Sequence, residues 1–385
     1  MERRVGRAPR TVGTPLARVL PVVPIALFDT ETPLLALREL IVERLTAVVE
    51  RGVYILGPEV TAFEEEFAAY LGVRHAIGVA NGTDAITIAL KALGIRPDDE
   101  VVVPSFTFYA SAEAIVTAGA RPVFCDVDPA TRNITTDTVR AVLTPRTKAI
   151  VAVDLFGCPA PLPELRELGV PVLEDAAQAA GASLGGRRAG ALGDIATISF
   201  YPSKNLGCFG DGGAIATDDD QVAEIVRALR FHGSRDKRTF DYIGYNSRLD
   251  EIQAAILRVM LPELDGWCDR RRAAAEAYTE AGIDRYVTPP AVPDGAEPAW
   301  HLYVATHPRA DELIAGLADH GVQARAYYRT PLHEQRSMAP WAPPAGSLPV
   351  TDELARTNLA LPMSAALDHE RAGEVVAALA TVLGG

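Results

Sequence analysis

One lysine, Lys204, follows a buried-looking run, Ile195-Ala196-Thr197-Ile198-Ser199-Phe200, on a loop bounded by Pro202 and Gly207. A lysine held in such a place loses hydration, its pKa falls, and its amine becomes a usable nucleophile. Upstream, the apolar run Val172-Leu173 ends in Glu174-Asp175 before the chain turns helical. Ligands of open α/β sheets sit outside the carboxyl ends of the strands, so Asp175 stands where a ligand meets the sheet. A third segment, Ala80-Asn81-Gly82-Thr83-Asp84, leads from an apolar strand into an Ala/Leu/Ile helix. Asn-Gly permits a tight left-handed turn, and Thr83 or Asp84 can cap the helix. The free N–H groups of that first turn, with the Thr83 hydroxyl, make a cup for an anion. Each feature alone also reads as ordinary structure: a surface lysine, a helix cap, a capped turn. Together they supply an amine for a Schiff base, a carboxylate to hold a pyridine nitrogen protonated, and a donor-rich phosphate cup. Those are the groups that pyridoxal 5'-phosphate (PLP) chemistry requires.

These groups need a scaffold that brings strand ends together. From about residue 35 to 260, short β-rich runs alternate with helical stretches, the pattern of a mostly parallel sheet covered by helices. The spacing predicts strands over 76–79, 100–103, 122–126, 149–153, 170–174, 196–200 and 213–217. Several are apolar on consecutive positions, as when both faces are buried. Helices are predicted over 84–93, 110–118, 163–168 and 221–230, and a longer one over 249–281 is interrupted near Pro262. At roughly 100–200 residues per domain, 385 residues make two domains. The expected division is a basic arm over 1–22, a large α/β cofactor domain over 23–264, and a smaller α+β domain over 265–385.

Composition removes several function classes. A formal net charge of -13 speaks against a nucleic-acid partner, yet a small anion needs only a local positive pocket. Cys125, Cys158, Cys208 and Cys268 lie far apart, with no CxxC pair and no His at ligand spacing. That predicts reduced thiols in a cytoplasmic protein and no metal. No run reaches the ~20 uninterrupted apolar residues of a spanning helix. Arg3, Arg4, Arg7, Arg10 and Arg18 face a single Glu2 in the first stretch, and the apolar run after them is broken by Pro21 and Pro24. A disordered arm is therefore expected rather than a signal peptide.

With these motifs in place, the chain resembles the DegT/DnrJ/EryC1/StrS family of sugar aminotransferases, within the aspartate-aminotransferase fold (PLP fold type I). The resemblance spans nearly the whole chain after residue 22. It rests on Gly57-Pro58-Glu59-Val60, Asn81-Gly82-Thr83-Asp84-Ala85, Pro104-Ser105-Phe106-Thr107-Phe108, Glu174-Asp175-Ala176-Ala177-Gln178, Lys204-Asn205-Leu206-Gly207 and Gly244-Tyr245-Asn246-Ser247-Arg248-Leu249-Asp250. It implies Lys204 as the Schiff-base lysine and proton shuttle, and Asp175 as the partner of the pyridine nitrogen. Phe108 would stack on the ring, Gln178 would sit by its O3' edge, and Gly82, Thr83 and Ser199 would hold the phosphate. Asn246 would reach the cofactor of a neighbouring subunit, making a homodimer part of the design. A branch of the family carries histidine in place of the lysine and removes a hydroxyl from the sugar. Lys204 therefore favours transamination over that dehydration.

The resemblance also implies substrates: a keto-sugar on a nucleoside diphosphate, with L-glutamate as donor and the pyridoxamine form as the half-way state. Tyr201 is expected near the sugar, and Tyr327, Tyr328 and His333 fall on a substrate loop. In members that aminate C3, that loop often carries His before Tyr. Tyr327 at that place leads to the expectation of amination at C4 of dTDP-4-keto-6-deoxyglucose. Amination at C3 of a dTDP-3-keto-6-deoxyhexose is the alternative, followed by a PLP sugar dehydratase and a non-catalytic regulatory homologue. Whether the pathway serves antibiotic glycosylation or surface polysaccharide is not written in these residues.

Overall fold

The computed structural model describes residues 24–384; the basic arm expected over 1–22 lies outside them. Seven strands form the central sheet: β1 (His75–Val79), β2 (Glu100–Pro104), β3 (Arg121–Cys125), β4 (Thr147–Val153), β5 (Val172–Asp175), β8 (Ile195–Ser199) and β9 (Gly213–Thr217). Their spatial order is β1-β9-β8-β5-β4-β2-β3. All neighbours pair in parallel except β9, which runs antiparallel to both β1 and β8. One reversed strand between them leaves β1, β5 and β8 pointing the same way, so Val79, Asp175 and Ser199 finish on one edge of the sheet. Every predicted strand is present within two residues of its expected ends.

Side chains alternate between two buried faces, as a strand's two-residue period requires. Ile77, Val79, Ile195 and Ile215 enter one apolar cluster, while Ala76, Ala196, Ile198, Ala214 and Ala216 enter another. The predicted helices appear at Gly82–Ala92, Ala110–Thr117, Leu162–Arg166 and Asp220–Leu229. The long stretch divides as expected, because Pro262 cannot donate the hydrogen bond a continuous helix needs. Helix Glu251–Met260 and helix Leu264–Glu280 are joined by a 3-10 turn at Leu261–Glu263. Two further helices, Arg38–Arg51 and Pro58–Leu71, precede the sheet. The second of these is capped from far along the chain. Buried Glu251 accepts from the N–H groups of Gly57 (2.9 Å), Glu59 (3.0 Å) and Val60 (2.8 Å).

A hairpin of β6 (Ser183–Leu184) and β7 (Arg187–Arg188) joins β10 (Ala296–Glu297). In the C-terminal part, β11 (Tyr303–Thr306) pairs antiparallel with β12 (Asn358–Leu361). Helices Leu264–Glu280, Ala310–Asp319 and His369–Leu383 pack beside them around Tyr278, Leu317, Leu359 and Leu379. Ile25 belongs to this C-terminal cluster and is held by Ile25 N–H to Gly321 O at 2.9 Å. Ile25 therefore packs with the C-terminal layer, while Leu27 and Phe28 pack with the apolar cluster of the central sheet. Among the described residues, no helix is long and apolar enough to cross a membrane.

Candidate active site

A cavity of about 630 Å³ opens at the sheet edge where β1, β5 and β8 end. Its lining includes Gly82, Thr83, Phe108, Asp175, Gln178, Ser199, Tyr201, Lys204, Tyr327 and Tyr328. The strand ends thus gather ten of the residues singled out above, drawn from five separate stretches of sequence. A second depression of about 520 Å³, around Arg166, Asp194 and Asp220, contains none of them.

At the first strand end the chain differs from the expected left-handed turn. Asn81 is extended (φ -166°), and its side-chain oxygen accepts from Asp84 N–H at 2.8 Å, so Asn81 rather than Thr83 or Asp84 caps the helix. Glycine is needed at 82 for space: a Cβ there would sit 2.8 Å from Ser199 Cβ. The close approach brings the helix N-terminus against Ser199, and free N–H groups beside hydroxyls form an anion cup.

At the end of β5 the two carboxylates part. Glu174 is buried and accepts from Gly190 (2.6 Å), Leu192 (2.8 Å) and Gly193 (3.0 Å) N–H groups, which commits it to structure. Asp175 faces the cavity, with the Ser111 hydroxyl donating to Oδ2 at 2.9 Å and Ala177 N–H to Oδ1 at 3.2 Å. Burial pushes its pKa up, while Ser111, Ala177 and the Lys204 charge pull it back.

Lys204 sits on a loop that turns sharply after β8. Its N–H bonds to Tyr201 O at 2.8 Å, and a Cβ at Gly207 would lie 2.7 Å from Pro202 O, so only glycine lets the loop return. The next residue, Asn205, clamps the loop to the C-terminal layer through Nδ2 to Ala299 O at 2.7 Å. Burial lowers the Lys204 pKa from 10.5 to about 8, opposed by the Asp175 carboxylate. A partly neutral amine beside a carboxylate is a competent nucleophile and proton carrier.

The aromatic groups complete the cavity. Phe108 is 53% exposed and lines the cavity. Tyr328 lies 6.1 Å from Phe108, and its hydroxyl is 3.3 Å from Gln178 Nε2, while Gln178 Oε1 accepts from Phe156 N–H at 2.7 Å. Tyr201 is 55% exposed, and Tyr327 is fixed by its N–H to Asn358 Oδ1 at 2.6 Å.

Two expected residues stand elsewhere. Asn246 is exposed, is not part of this cavity lining, and its side-chain oxygen takes a hydrogen bond from Arg248. His333 does not reach the cavity either. Its Nδ1 lies 2.7 Å from the Ser105 hydroxyl and its Nε2 3.3 Å from Asp352, so it straps the loop after Tyr328 to the end of β2. His333, Glu334 and Asp352 offer ligand atoms within 4.8 Å of one another, a cluster the sequence spacing did not reveal.

Sequence reasoning missed Ser111, Phe28, His301 and Arg325. Ser111 lies in the helix that starts at Ala110, and nothing in its local sequence marks the partner at Asp175. His301 is only 5% exposed, lines the cavity and has no partner for Nδ1. Burial, then the charges of Lys204 and Arg271, hold it well below the usual histidine range and hence neutral.

The residues fit PLP: a tight anion cup at Gly82 and Ser199, a buried carboxylate, an uncovered aromatic face and a lysine of lowered pKa. The model of the DegT/DnrJ/EryC1/StrS aminotransferase family matches residues 36–380, and the chain belongs to that family of PLP-dependent sugar aminotransferases. It is 46% identical over 343 residues to dTDP-3-amino-3,4,6-trideoxy-alpha-D-glucose transaminase of Streptomyces venezuelae, covering 87% of this chain and 90% of that one. It is 45% identical to a pleiotropic regulatory protein of Geobacillus stearothermophilus, covering 87% and 92%. Among solved structures, S. venezuelae DesV in complex with a ketimine intermediate superposes with a TM-score of 0.89 at 42% identity, covering 92% and 97%. The expectation of amination at C4 is not supported by these relatives; the S. venezuelae name places the amine at C3.

Proposed function

We propose that this enzyme transfers the amino group of L-glutamate to C3 of a dTDP-linked 3-keto-6-deoxyhexose. The reading of the site is carried by one observation: Lys204 and Asp175 line the same cavity, the lysine with its pKa lowered to about 8. The choice of C3 is supported by similarity to the S. venezuelae transaminase. Tyr327 in place of histidine, the basis for C4, is one side chain in a loop and weighs less than likeness over most of the chain.

When bound, PLP supplies the carbon electrophile and the electron sink. The chain's own groups would do the rest. The N–H groups after Asn81, with Thr83 and Ser199, would hold the phosphate. Asp175, kept in place by Ser111, would hold a proton on the pyridine nitrogen. Phe108 and Tyr328 would exclude water from the ring faces, and Lys204 Nζ would take up and return the proton that moves during transamination.

The division at residue 264/265, a cytoplasmic location and a homodimer belong to the same proposal. A separate C-terminal apolar cluster supports the first, and four free, buried cysteines support the second. Val42 and Val49 share one face of the first helix and, with Tyr54 and Ile55 after it, are exposed and supply an apolar surface for a second copy. Asn246 would then serve the neighbouring site.

The test is incubation with glutamate and either dTDP-3-keto- or dTDP-4-keto-6-deoxyglucose, with NMR to locate the new amine. Nitrogen at C3 supports the proposal; nitrogen at C4 alone overturns the regiochemistry. A second reading, a regulatory protein without turnover, is raised by the name of the G. stearothermophilus relative. Glutamate-dependent amination of either sugar would exclude absence of turnover.

A further inference from the structure

The cavity receives two substrates in turn, and both are anions: a dicarboxylate and a nucleoside diphosphate. Its charged lining is short. Asp175 and Lys204 each favour the other's charged form, Asp211 is acidic, and buried His301 is neutral. That leaves Arg325, whose lining position is on the C-terminal wall with Phe28, His301 and Tyr327. Among the described residues, the Arg325 side chain enters no salt bridge and no hydrogen bond, unlike nearby Arg329, which pairs with Asp311 and with the carbonyls of Ala355 and Asn358.

Its base is nonetheless fixed. Arg325 N–H donates to Ala360 O at 3.2 Å and Ala360 N–H to Arg325 O at 2.7 Å, an antiparallel bridge beside β12. The guanidinium carbon lies 6.0 Å from the centre of the Tyr327 ring, the outer edge of a cation–π contact. Arg325 is exposed, so its head meets solvent at the cavity mouth; an anchored backbone and a stem guided by an aromatic ring leave that head free to pair with an anion entering the cavity. Guanidinium is suited to this work because its planar fork matches carboxylate and phosphate oxygens and stays charged at any working pH.

We propose that Arg325 is the anion anchor of the substrate cavity, pairing with an oxyanion of the amino donor or of the sugar nucleotide. The inference rests on the aminotransferase reading and assigns a specificity role within it. The Arg325 donors are not those of the phosphate cup at Gly82, so that cofactor and substrate anions do not compete for one set of donors.

The test uses the PLP-loaded enzyme with Arg325→Gln and Arg325→Lys, each half-reaction being followed separately by the cofactor's absorbance. Glutamate is the probe in the first half and dTDP-3-keto-6-deoxyglucose in the second. Both variants should load cofactor with an unchanged spectrum. Arg325→Gln should raise the half-saturating concentration about 10- to 100-fold, the worth of a charge-assisted hydrogen bond, with a limiting rate close to wild type. Arg325→Lys, which keeps the charge, should recover part of the loss. A rise for glutamate assigns the anchor to a carboxylate, a rise for the sugar nucleotide assigns it to the diphosphate, and a rise in both assigns it to each in turn. Unchanged half-saturation in both halves, with wild type active, overturns the inference. If wild type fails to aminate any sugar, the function is refuted instead, and the glutamate half-reaction still tests Arg325.

Discussion

Titrating Lys204 in the cofactor-free protein probes the centre of the site directly. Burial favours the neutral amine and lowers its pKa from 10.5 to about 8. A fall of ~2.5 units raises the free-amine fraction at pH 7 about 300-fold, from roughly 0.03% to roughly 10%. Competitive acetylation at a series of pH values, read by mass spectrometry on the Lys204 peptide, should give a midpoint near 8. Exposed lysines in the same digest should titrate near ~10.4. Asp175→Asn removes the carboxylate that opposes the shift, so the midpoint should fall further. The same shift has a sign for stability. Between about pH 8 and 10.5 the unfolded chain binds more protons at Lys204 than the folded one, so this residue makes the cofactor-free protein more stable as pH rises through that window. A Lys204 midpoint near ~10, or a midpoint raised by Asp175→Asn, refutes the reasoning.

Three other perturbations follow from geometry. Ser111→Ala removes a donor at 2.9 Å from Asp175 Oδ2; the Asp175 pKa, already raised by burial and pulled back by that donor, should rise further, and the acid limb of the glutamate half-reaction should move upward with it. Gly82→Ala places a Cβ 2.8 Å from Ser199 Cβ, so the PLP dissociation constant, read by absorbance titration, should increase by at least ~10-fold for one lost charge-assisted contact. Glu251→Ala strands the buried N–H donors of Glu59 and Val60 and the part-buried one of Gly57; urea unfolding should show a loss of about 3–5 kcal/mol.

The sheet was legible because its strands are short, apolar on consecutive positions and punctuated by Gly, Pro and Asp. The candidate cofactor-site groups were legible for a related reason: Asp175, Ser199 and Lys204 lie at or just after strand ends, and topology brings those ends together. Even there, sequence misjudged local detail. Asn-Gly suggested a left-handed turn, but Asn81 stays extended and Gly82 is required by contact with Ser199, a neighbour from another strand. His333 looked like a substrate group because it lies on the substrate loop. Its role is set instead by Ser105 and Asp352, which local sequence does not connect.

The lining contributed by Phe28, His301 and Arg325 was the illegible part, and the reason is physical. Phe28, His301 and Arg325 arrive from three distant places in the chain and meet through backbone pairing, not through a motif. The segment ending at Phe28 is stitched to the C-terminal layer by Leu27 N–H to Gln323 Oε1 at 3.2 Å and Met363 N–H to Leu27 O at 3.2 Å. Trp300 adopts a positive φ of 46°, a strained state for a bulky side chain, directly before His301. That conformation is held by Ala299 N–H to Gly157 O at 2.8 Å, by Asn205 on Ala299 O, and by Arg271 on Trp300 O at 3.0 Å. Asn205 is the neighbour of Lys204, so the loop that carries the amine also fixes the backbone that presents His301. Asn205 thus ties the Lys204 loop to the backbone beside His301. Loosening that clamp with Asn205→Ala should weaken substrate saturation as well as alter the Lys204 titration, although Asn205 itself faces no substrate. If Asn205→Ala moves neither, the two walls are independent and the strain at Trp300 serves packing alone.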